Sequence, residues 1–382
     1  MSEIERIAFD GRYINDRNHG IGRYSFRLLE ALVDLADEAC PQRRFIIFYG
    51  REPDSRFDWS KILSKPNVEL RAGPWPLYWP QEQLAWPGLL RRCRAELFFS
   101  PHFVAPLLAR ISIIITVHDL IFDHYPAYMP QPWARPYYHM MMRLSTYRAR
   151  PIITVSHATA ADLRHFYGIP ESKIWVIHEG VDPNYTPVPD ESELETLKRK
   201  YQLADNFILS VGARRPHKNL DTLVQAMAHL ESDTTPQLVF AGLPDPRFPD
   251  YARQAVERFE LNGRVRFLGW VPEADLPGLY RLARVAVFPS LIEGFGLPAL
   301  EAMACGTPVI ASNRSSLPEI VGGAGFQIDP HDPNALSDAL KEVLHDEQRR
   351  GEMSVAGRKR ATEFTWLQAA RKVCTVFEDR SR

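Results

Sequence analysis

Two glutamates, Glu293 and Glu301, bound the segment Glu-Gly-Phe-Gly-Leu-Pro-Ala-Leu-Glu, which follows the apolar run Val285 to Phe288. The pattern predicts a strand, a glycine-rich turn and a helix opened by Pro298, a residue that needs no amide partner in the first helical turn. Backbone N–H groups in such a turn, with the positive end of the helix dipole, suit an anionic ligand. Carboxylates do not suit phosphate, but they accept hydrogen bonds from hydroxyls. A phosphate cradle flanked by hydroxyl acceptors fits a sugar nucleotide. Either glutamate alone reads as a turn residue or a charge on a solvated helix face. The co-occurrence of strand, paired glycines, proline and spacing gives the segment its meaning.

A second strand–loop–helix supplies the opposite charge. Phe207 to Val211 leads into Gly212-Ala-Arg-Arg-Pro-His-Lys-Asn219, ahead of a helix beginning near Leu220. Arg214, Arg215, His217 and Lys218 gather positive charge at a strand end, as a departing diphosphate requires. One fixed cation beside a developing anion stabilises a transition state by about 3 kcal/mol. The plain alternative is a basic surface loop. No Asp-x-Asp adjoins an apolar strand, and Asp245 and Asp250 fall in a Pro-rich loop and read as solvated. No metal site is expected. The basic residues and the helix terminus take that role.

Towards the N-terminus, Gly20-Ile-Gly-Arg-Tyr24 precedes a helix carrying Leu28, Leu29 and Leu32. It lacks the third glycine of a dinucleotide fingerprint and stands about ten residues from the strand. It reads as a loop through which backbone approaches a ligand, with Gly20 and Gly22 contacting a donor phosphate or an acceptor. Arg23 is either a ligand residue or a helix-face charge. Ile111 to Val117 ends in His118-Asp119, and Ser156 after Ile152 to Val155 reads as a helix cap. Trp75, Tyr78, Trp79 and Trp86, then Tyr128, Trp133, Tyr137, Tyr138 and four methionines, are rich in aromatic rings. Such rings serve sugar stacking, a membrane interface or ordinary helix packing, and packing is the commoner use.

These residues need elements to hold them. A chain of 382 residues exceeds one hydrophobic core, so two domains are expected. Ile7 to Phe9, Phe45 to Tyr49, Leu97 to Phe99, Ile111 to Val117 and Ile152 to Val155 read as strands separated by helices. A second series runs Phe207 to Val211, Leu238 to Ala241, Val265 to Leu268, Val285 to Phe288 and Val309 to Ala311. Between them Asp182 to Asp190 reads as a linker. The fold class is α/β, with two Rossmann-like domains facing a central cleft. Ligands in such sheets bind beyond the carboxyl ends of the strands. Trp366 to Phe377 is amphipathic at helical spacing.

Lys plus Arg number 46 against 47 for Asp plus Glu, which gives no field for nucleic acid. Cys40, Cys93, Cys305 and Cys374 match no zinc or redox spacing and read as reduced thiols. The first residues lack signal-peptide character. No apolar run approaches the roughly 20 residues of a membrane span. The expectation is a cytoplasmic protein.

The Glu293–Glu301 segment resembles the glutamate–seven–glutamate motif of the retaining glycosyltransferases of family 4, which have the GT-B fold. That resemblance implies that Glu293 contacts donor-sugar hydroxyls and Glu301 the ribose, with the amides of Gly294, Phe295, Gly296 and Leu297 facing sugar and diphosphate. In the family's Pro-Arg-Lys-Asn-like run, Lys218 matches the phosphate-binding lysine. His217 stands where many relatives have Arg, so Arg214 or Arg215 replaces it, Arg214 being preferred. The Val-His-Asp-Leu pattern makes His118 the histidine on the donor sugar, with Asp119 orienting its ring. Val271, in Gly269-Trp-Val271, and Tyr280 would read the base.

Gly-Ile-Gly-Arg-Tyr is similar to a mannosyltransferase-like subgroup, so the implied donor is GDP-mannose, with UDP and dTDP sugars as alternatives. The implied acceptor is a polysaccharide or lipid-linked glycan, and no cofactor is required. The N-terminal domain, 1–182 with the returning helix 366–382, would take the acceptor and touch the inner face of the membrane. The domain 183–365 would take the donor. The competing readings are a sugar-nucleotide epimerase on the same fold and a non-catalytic paralogue.

Overall fold

A computed structural model describes residues 5–15, 19–39, 42–50, 57–74, 77–129, 131, 134–188, 191–230 and 236–379. Cys40, Trp75, Trp133, Pro189 and Asp190 lie outside the described residues. The chain divides into two compact units, Met1–Gly180 with Trp366–Arg382, and Val181–Thr365.

Unit 1 is built on seven strands: β1 (Glu5–Asp10), β2 (Arg43–Tyr49), β3 (Val68–Ala72), β4 (Leu97–Ser100), β5 (Ser112–Val117), β6 (Ile152–Thr154) and β7 (Ile174–Val176). They form one parallel sheet in the order β3-β2-β1-β4-β5-β6-β7. Unit 2 carries β8 (Phe207–Val211), β9 (Gln237–Ala241), β10 (Val265–Gly269), β11 (Val285–Phe288), β12 (Val309–Ser312) and β13 (Phe326–Ile328). Their order is β10-β9-β8-β11-β12-β13, again all parallel. Central strands such as Leu97–Ser100 and Val285–Phe288 are buried along their whole length, because crossover helices cover both sheet faces.

The sequence pattern misses three strands: β3, β7 and β13. All three are sheet edges. An edge strand has one neighbour and less apolar surface to bury. Val-Glu-Leu-Arg-Ala is correspondingly half-polar, and β7 and β13 are only three residues long.

The final helix, Trp366–Glu378, belongs to unit 1 and packs on the helix His19–Ala39. Trp366 meets Tyr24 edge-on at 5.9 Å, and Phe377 meets Phe99 at the same distance. The linker expected at Asp182 to Asp190 is, over its described part, fastened to unit 2. Arg281 Nε donates to the Thr186 carbonyl at 2.7 Å, and Asp182 and Tyr185 are buried.

In unit 2 the turns after β8 and β9 are pressed together. Gly242 has φ 152, and a Cβ there would lie 1.9 Å from the Gly212 carbonyl oxygen. Only glycine fits. Gly242→Ala should therefore destabilise the protein by at least about 2 kcal/mol, read as a lower urea midpoint at unchanged slope.

Candidate active site

In unit 2, β8 and β11 are neighbours, yet the chain leaves β8 for β9 on one side and leaves β11 for β12 on the other. Diverging connections of this kind open a crevice at the carboxyl ends of the two strands. The loop after β8 brings Lys218 there, and the loop after β11 brings Ser290 and Glu293. Lys218 Nζ donates to both Glu293 oxygens, at 2.6 and 2.8 Å, and Ser290 Oγ donates to Glu293 Oε1 at 2.6 Å. These residues line a concavity with Val211, Gly212 and Phe288. Burial pushes the Glu293 carboxyl upward, but Lys218 and the donated hydrogen bonds outweigh it. The group sits below its ordinary value and is a carboxylate at neutral pH.

The two loops are tied together. Leu291 N donates to the His217 carbonyl at 2.8 Å. Asn219, at φ 55, donates through Nδ2 to the carbonyls of Pro289 and Pro330 at 3.1 and 2.7 Å. The turn after Glu293 is anchored by two serines. Ser315 Oγ donates to the Glu293 carbonyl at 2.7 Å, and Ser316 Oγ to the Phe295 carbonyl at 2.8 Å. Gly296 adopts φ 106, and the helix opens at Leu297 with Pro298 second. The Phe295 side chain is core, edge-on to Phe364. Of Gly294, Phe295, Gly296 and Leu297, it is the backbone that the turn can offer.

Glu301, on that helix, is only 2% exposed, and the Tyr280 hydroxyl donates to its Oε2 at 3.1 Å. Burial first, then the Glu301 charge, holds Tyr280 protonated well above its ordinary value. Tyr280 therefore orients Glu301, contrary to the expectation that it reads a base. Val271 is largely buried and follows β10, two strands across the sheet from β8.

The basic loop separates into different roles. Arg214, preferred as the second phosphate cation, is built into the scaffold. Its Nε and Nη2 hold Asp250, Nη1 donates to the Gly242 carbonyl at 2.6 Å, and its guanidinium stacks 4.7 Å from the Phe267 ring centre. It is 7% exposed and lines a separate concavity with Asp250 and Tyr251. Arg215 binds Asp245 at 3.0 Å, and Arg247 shares the same carboxylate. Asp245 and Asp250 are thus salt-bridged, not solvated, and Asp250 also caps the helix Tyr251–Arg258. Burial drives the His217 imidazole down to about 3, so it is neutral. Of the four basic-loop residues, the structure brings Lys218 to Glu293.

In unit 1 His118 follows β5. One ring nitrogen, Nε2, lies 2.8 Å from the Pro101 carbonyl, and the other, Nδ1, lies 3.4 Å from Glu179 Oε1. Tyr24 meets the ring edge-on at 4.6 Å. Asp119, expected to orient the ring, instead accepts from Ile121 N at 3.0 Å. Burial is the largest single influence and lowers the imidazole, but Glu179 and the Pro101 carbonyl reverse it, and the net value is raised. The stabilisation from this pair is fully present below the ordinary value of 6.5 and is lost as pH rises through the folded value. In Glu179→Gln the His118 ring proton signals should titrate at lower pH than in the parent, as followed by NMR.

Gly20 and Gly22 lie within the first turn of the helix His19–Ala39, not in the loop the sequence suggests. A Cβ on Gly22 would lie 3.3 Å from the carbonyls of Tyr13 and Asn15, so this glycine lets the helix approach the segment after β1. Gly20 faces open space. Ser156 caps the helix His157–Tyr167 through Thr159 N, as read. Trp86 and Tyr138 are core, whereas Tyr78 and Trp79 are exposed.

Residues 194–360 match the family described as Glycosyl transferases group 1, and residues 19–185 match Glycosyltransferase Family 4. The O-antigen chain mannosyltransferase B of Escherichia coli is 36% identical over 94% of this chain and 96% of its own length. The chain belongs to glycosyltransferase family 4. The O-antigen chain mannosyltransferase RfbU of Salmonella typhimurium is 28% identical over 85% of this chain and 87% of that protein. A sucrose-phosphate synthase structure from Thermosynechococcus elongatus aligns with a TM-score of 0.75 at 23% identity, covering 98% of each chain. That likeness shows the fold, two Rossmann-like units of the GT-B type.

Within this glycosyltransferase, sequence reasoning misses Ser290, Asn219 and Glu179. Ser290 was within reach, since it shares a turn with Glu293 three residues on. Glu179 lies beyond any local pattern, because a fold contact alone brings it to His118.

Proposed function

We infer that this glycosyltransferase moves mannose from GDP-mannose to a polysaccharide or lipid-linked glycan, with retention at the anomeric carbon and without a metal. The observation that carries the donor site is the ion pair of Lys218 and Glu293 beside Ser290 at the switch point of unit 2. The mannose and glycan assignments rest on the likeness to the two O-antigen chain mannosyltransferases.

Lys218 and Glu293 neutralise each other. A nucleoside diphosphate competes for Lys218 and releases Glu293 to accept hydroxyls of the sugar, while Ser290 keeps the carboxylate in place. Glu301, steadied by Tyr280, takes the ribose. As the bond from the anomeric carbon to the diphosphate breaks, charge grows on the leaving oxygen and Lys218 stabilises it. The acceptor hydroxyl attacks from the same face, and its proton passes to the departing phosphate. His118 serves the donor sugar. The enzyme then works in the cytoplasm, at the inner face of the membrane when the acceptor is lipid-linked.

A panel of nucleotide sugars tests this by thermal shift. GDP-mannose at about 100 times its dissociation constant should stabilise the folded state by about 2.7 kcal/mol. Larger shifts with UDP or dTDP sugars would displace the donor assignment. Transfer should also survive exhaustive chelation, because Lys218 and the helix Leu297–Ala304 meet the diphosphate. Loss of turnover in EDTA, restored by Mg²⁺ or Mn²⁺, would remove the metal-free reading.

A further inference from the structure

Three parts of unit 1 meet at His118. The residue itself follows β5, Pro101 follows β4, and Glu179 comes from the segment after β7, two strands away from β5 in the sheet. The Pro101 carbonyl takes Nε2 at 2.8 Å, and the Glu179 carboxylate faces Nδ1 at 3.4 Å. Tyr24 stands at 90° to the ring, and Thr159 Oγ1 donates to the His118 carbonyl at 3.0 Å. Ring and backbone are both fixed.

Both ring nitrogens face acceptors. A carbonyl oxygen and a carboxylate can only accept, whereas a neutral imidazole carries a single N–H. In either neutral tautomer one nitrogen would turn its lone pair on an oxygen. The cation, with a proton on each nitrogen, satisfies both. Glu179 needs that cation in turn. It is 7% exposed, and among the described residues His118 is its ion-pair partner. A buried carboxylate without a counter-charge is costly.

The other groups facing the ring do not compete for its protons. Asp119 adds negative charge. Tyr24 is kept protonated, by burial first, with its hydroxyl 3.1 Å from Thr116 Oγ1. His102 is neutral, because burial and then the His118 and Arg12 charges hold it well below its ordinary value. A ring with a proton on each nitrogen has no lone pair for the acceptor hydroxyl's proton, which agrees with a proton path to the departing phosphate. The His118 side chain keeps 13% of its surface open, and what it offers there is positive charge.

We propose that Glu179 is a positioning residue that, together with the Pro101 carbonyl, keeps a proton on both nitrogens of His118, so that this histidine serves the donor as a fixed cation and not as a base. The inference rests on the reading of His118 as a donor-sugar residue.

The test has two readouts. In the full chain carrying isotope-labelled histidine, nitrogen NMR should show a proton on both ring nitrogens of His118 at about pH 7, and Glu179→Gln should lose one of them. Transfer is then followed against pH in both proteins, with the sugar nucleotide that gives the largest thermal shift. Their other ionising groups are shared, so the ratio of the two rates isolates the effect of Glu179. His118 sits above its ordinary value in the parent, and removing the carboxylate lowers it. The variant should therefore approach the parent at about pH 6 and fall about tenfold behind it by about pH 8. A bare nitrogen on the parent ring, or a ratio that does not change with pH, overturns the proposal. The first readout on the parent needs no variant and decides the matter if Glu179→Gln does not fold. Failure of the donor assignment is seen separately, in the nucleotide-sugar panel.

Discussion

Lys218→Gln should lower the rate of sugar transfer at saturating donor by about 10²–10³-fold, the usual effect of removing a preorganised group that stabilises developing charge. Donor affinity should change far less. Lys218 has a full partner in Glu293. The ground-state diphosphate must displace that partner, so its net gain from the lysine is small. Charge on the leaving oxygen grows only as the bond breaks, and the lysine acts there most strongly. Both side chains are largely buried, so the variant should melt at a lower temperature, but glutamine keeps an N–H donor for Glu293 and the variant should still fold. Steady-state kinetics with a melting curve check this. A rise in KM with kcat unchanged would mean that Lys218 binds ground state and transition state alike.

Glu293→Gln should move two quantities in opposite directions. Without the carboxylate, Lys218 keeps its whole charge for an incoming phosphate, and free GDP should bind about tenfold tighter, or roughly 1.4 kcal/mol. Transfer should nonetheless fall by about 10²-fold, because a neutral amide holds sugar hydroxyls less strongly than a charged acceptor. Glutamine preserves the shape and can still accept from Ser290, which separates the loss of charge from a collapse of the loop. Calorimetric titration of GDP into both proteins gives the first quantity and single-turnover assays the second. Weaker GDP binding in Glu293→Gln would show that the carboxylate assists the nucleotide and that the ion pair does not compete with it.

The central strands were legible because buried parallel strands read as unbroken apolar runs, and Val285 to Phe288 is one. The edges β3, β7 and β13 were not, since exposure and shortness erase that signal. The site was legible in its residue types. Glu293 and Lys218 stand out from their loops, and the fold brings them within hydrogen-bonding distance across 75 residues of chain. That neither arginine joins them was not legible. Arg214 is held by Asp250 and Phe267 and Arg215 by Asp245, all remote in sequence. Gly20 and Gly22 misled in a different way. Glycine weakens a helix, which favoured a loop there, but Gly22 lies inside the helix, where its missing side chain allows a close approach to the Tyr13 and Asn15 carbonyls.

The most direct measurement of the account is proton NMR of the reaction of purified enzyme with GDP-mannose and a mannose-terminated acceptor, following the anomeric signals of donor and product together with release of GDP. The account predicts a mannoside with the anomeric configuration of the donor, formed in equal amount to GDP, and its loss in Lys218→Gln. A product of inverted configuration, or turnover of the sugar nucleotide with no mannoside formed, would contradict it.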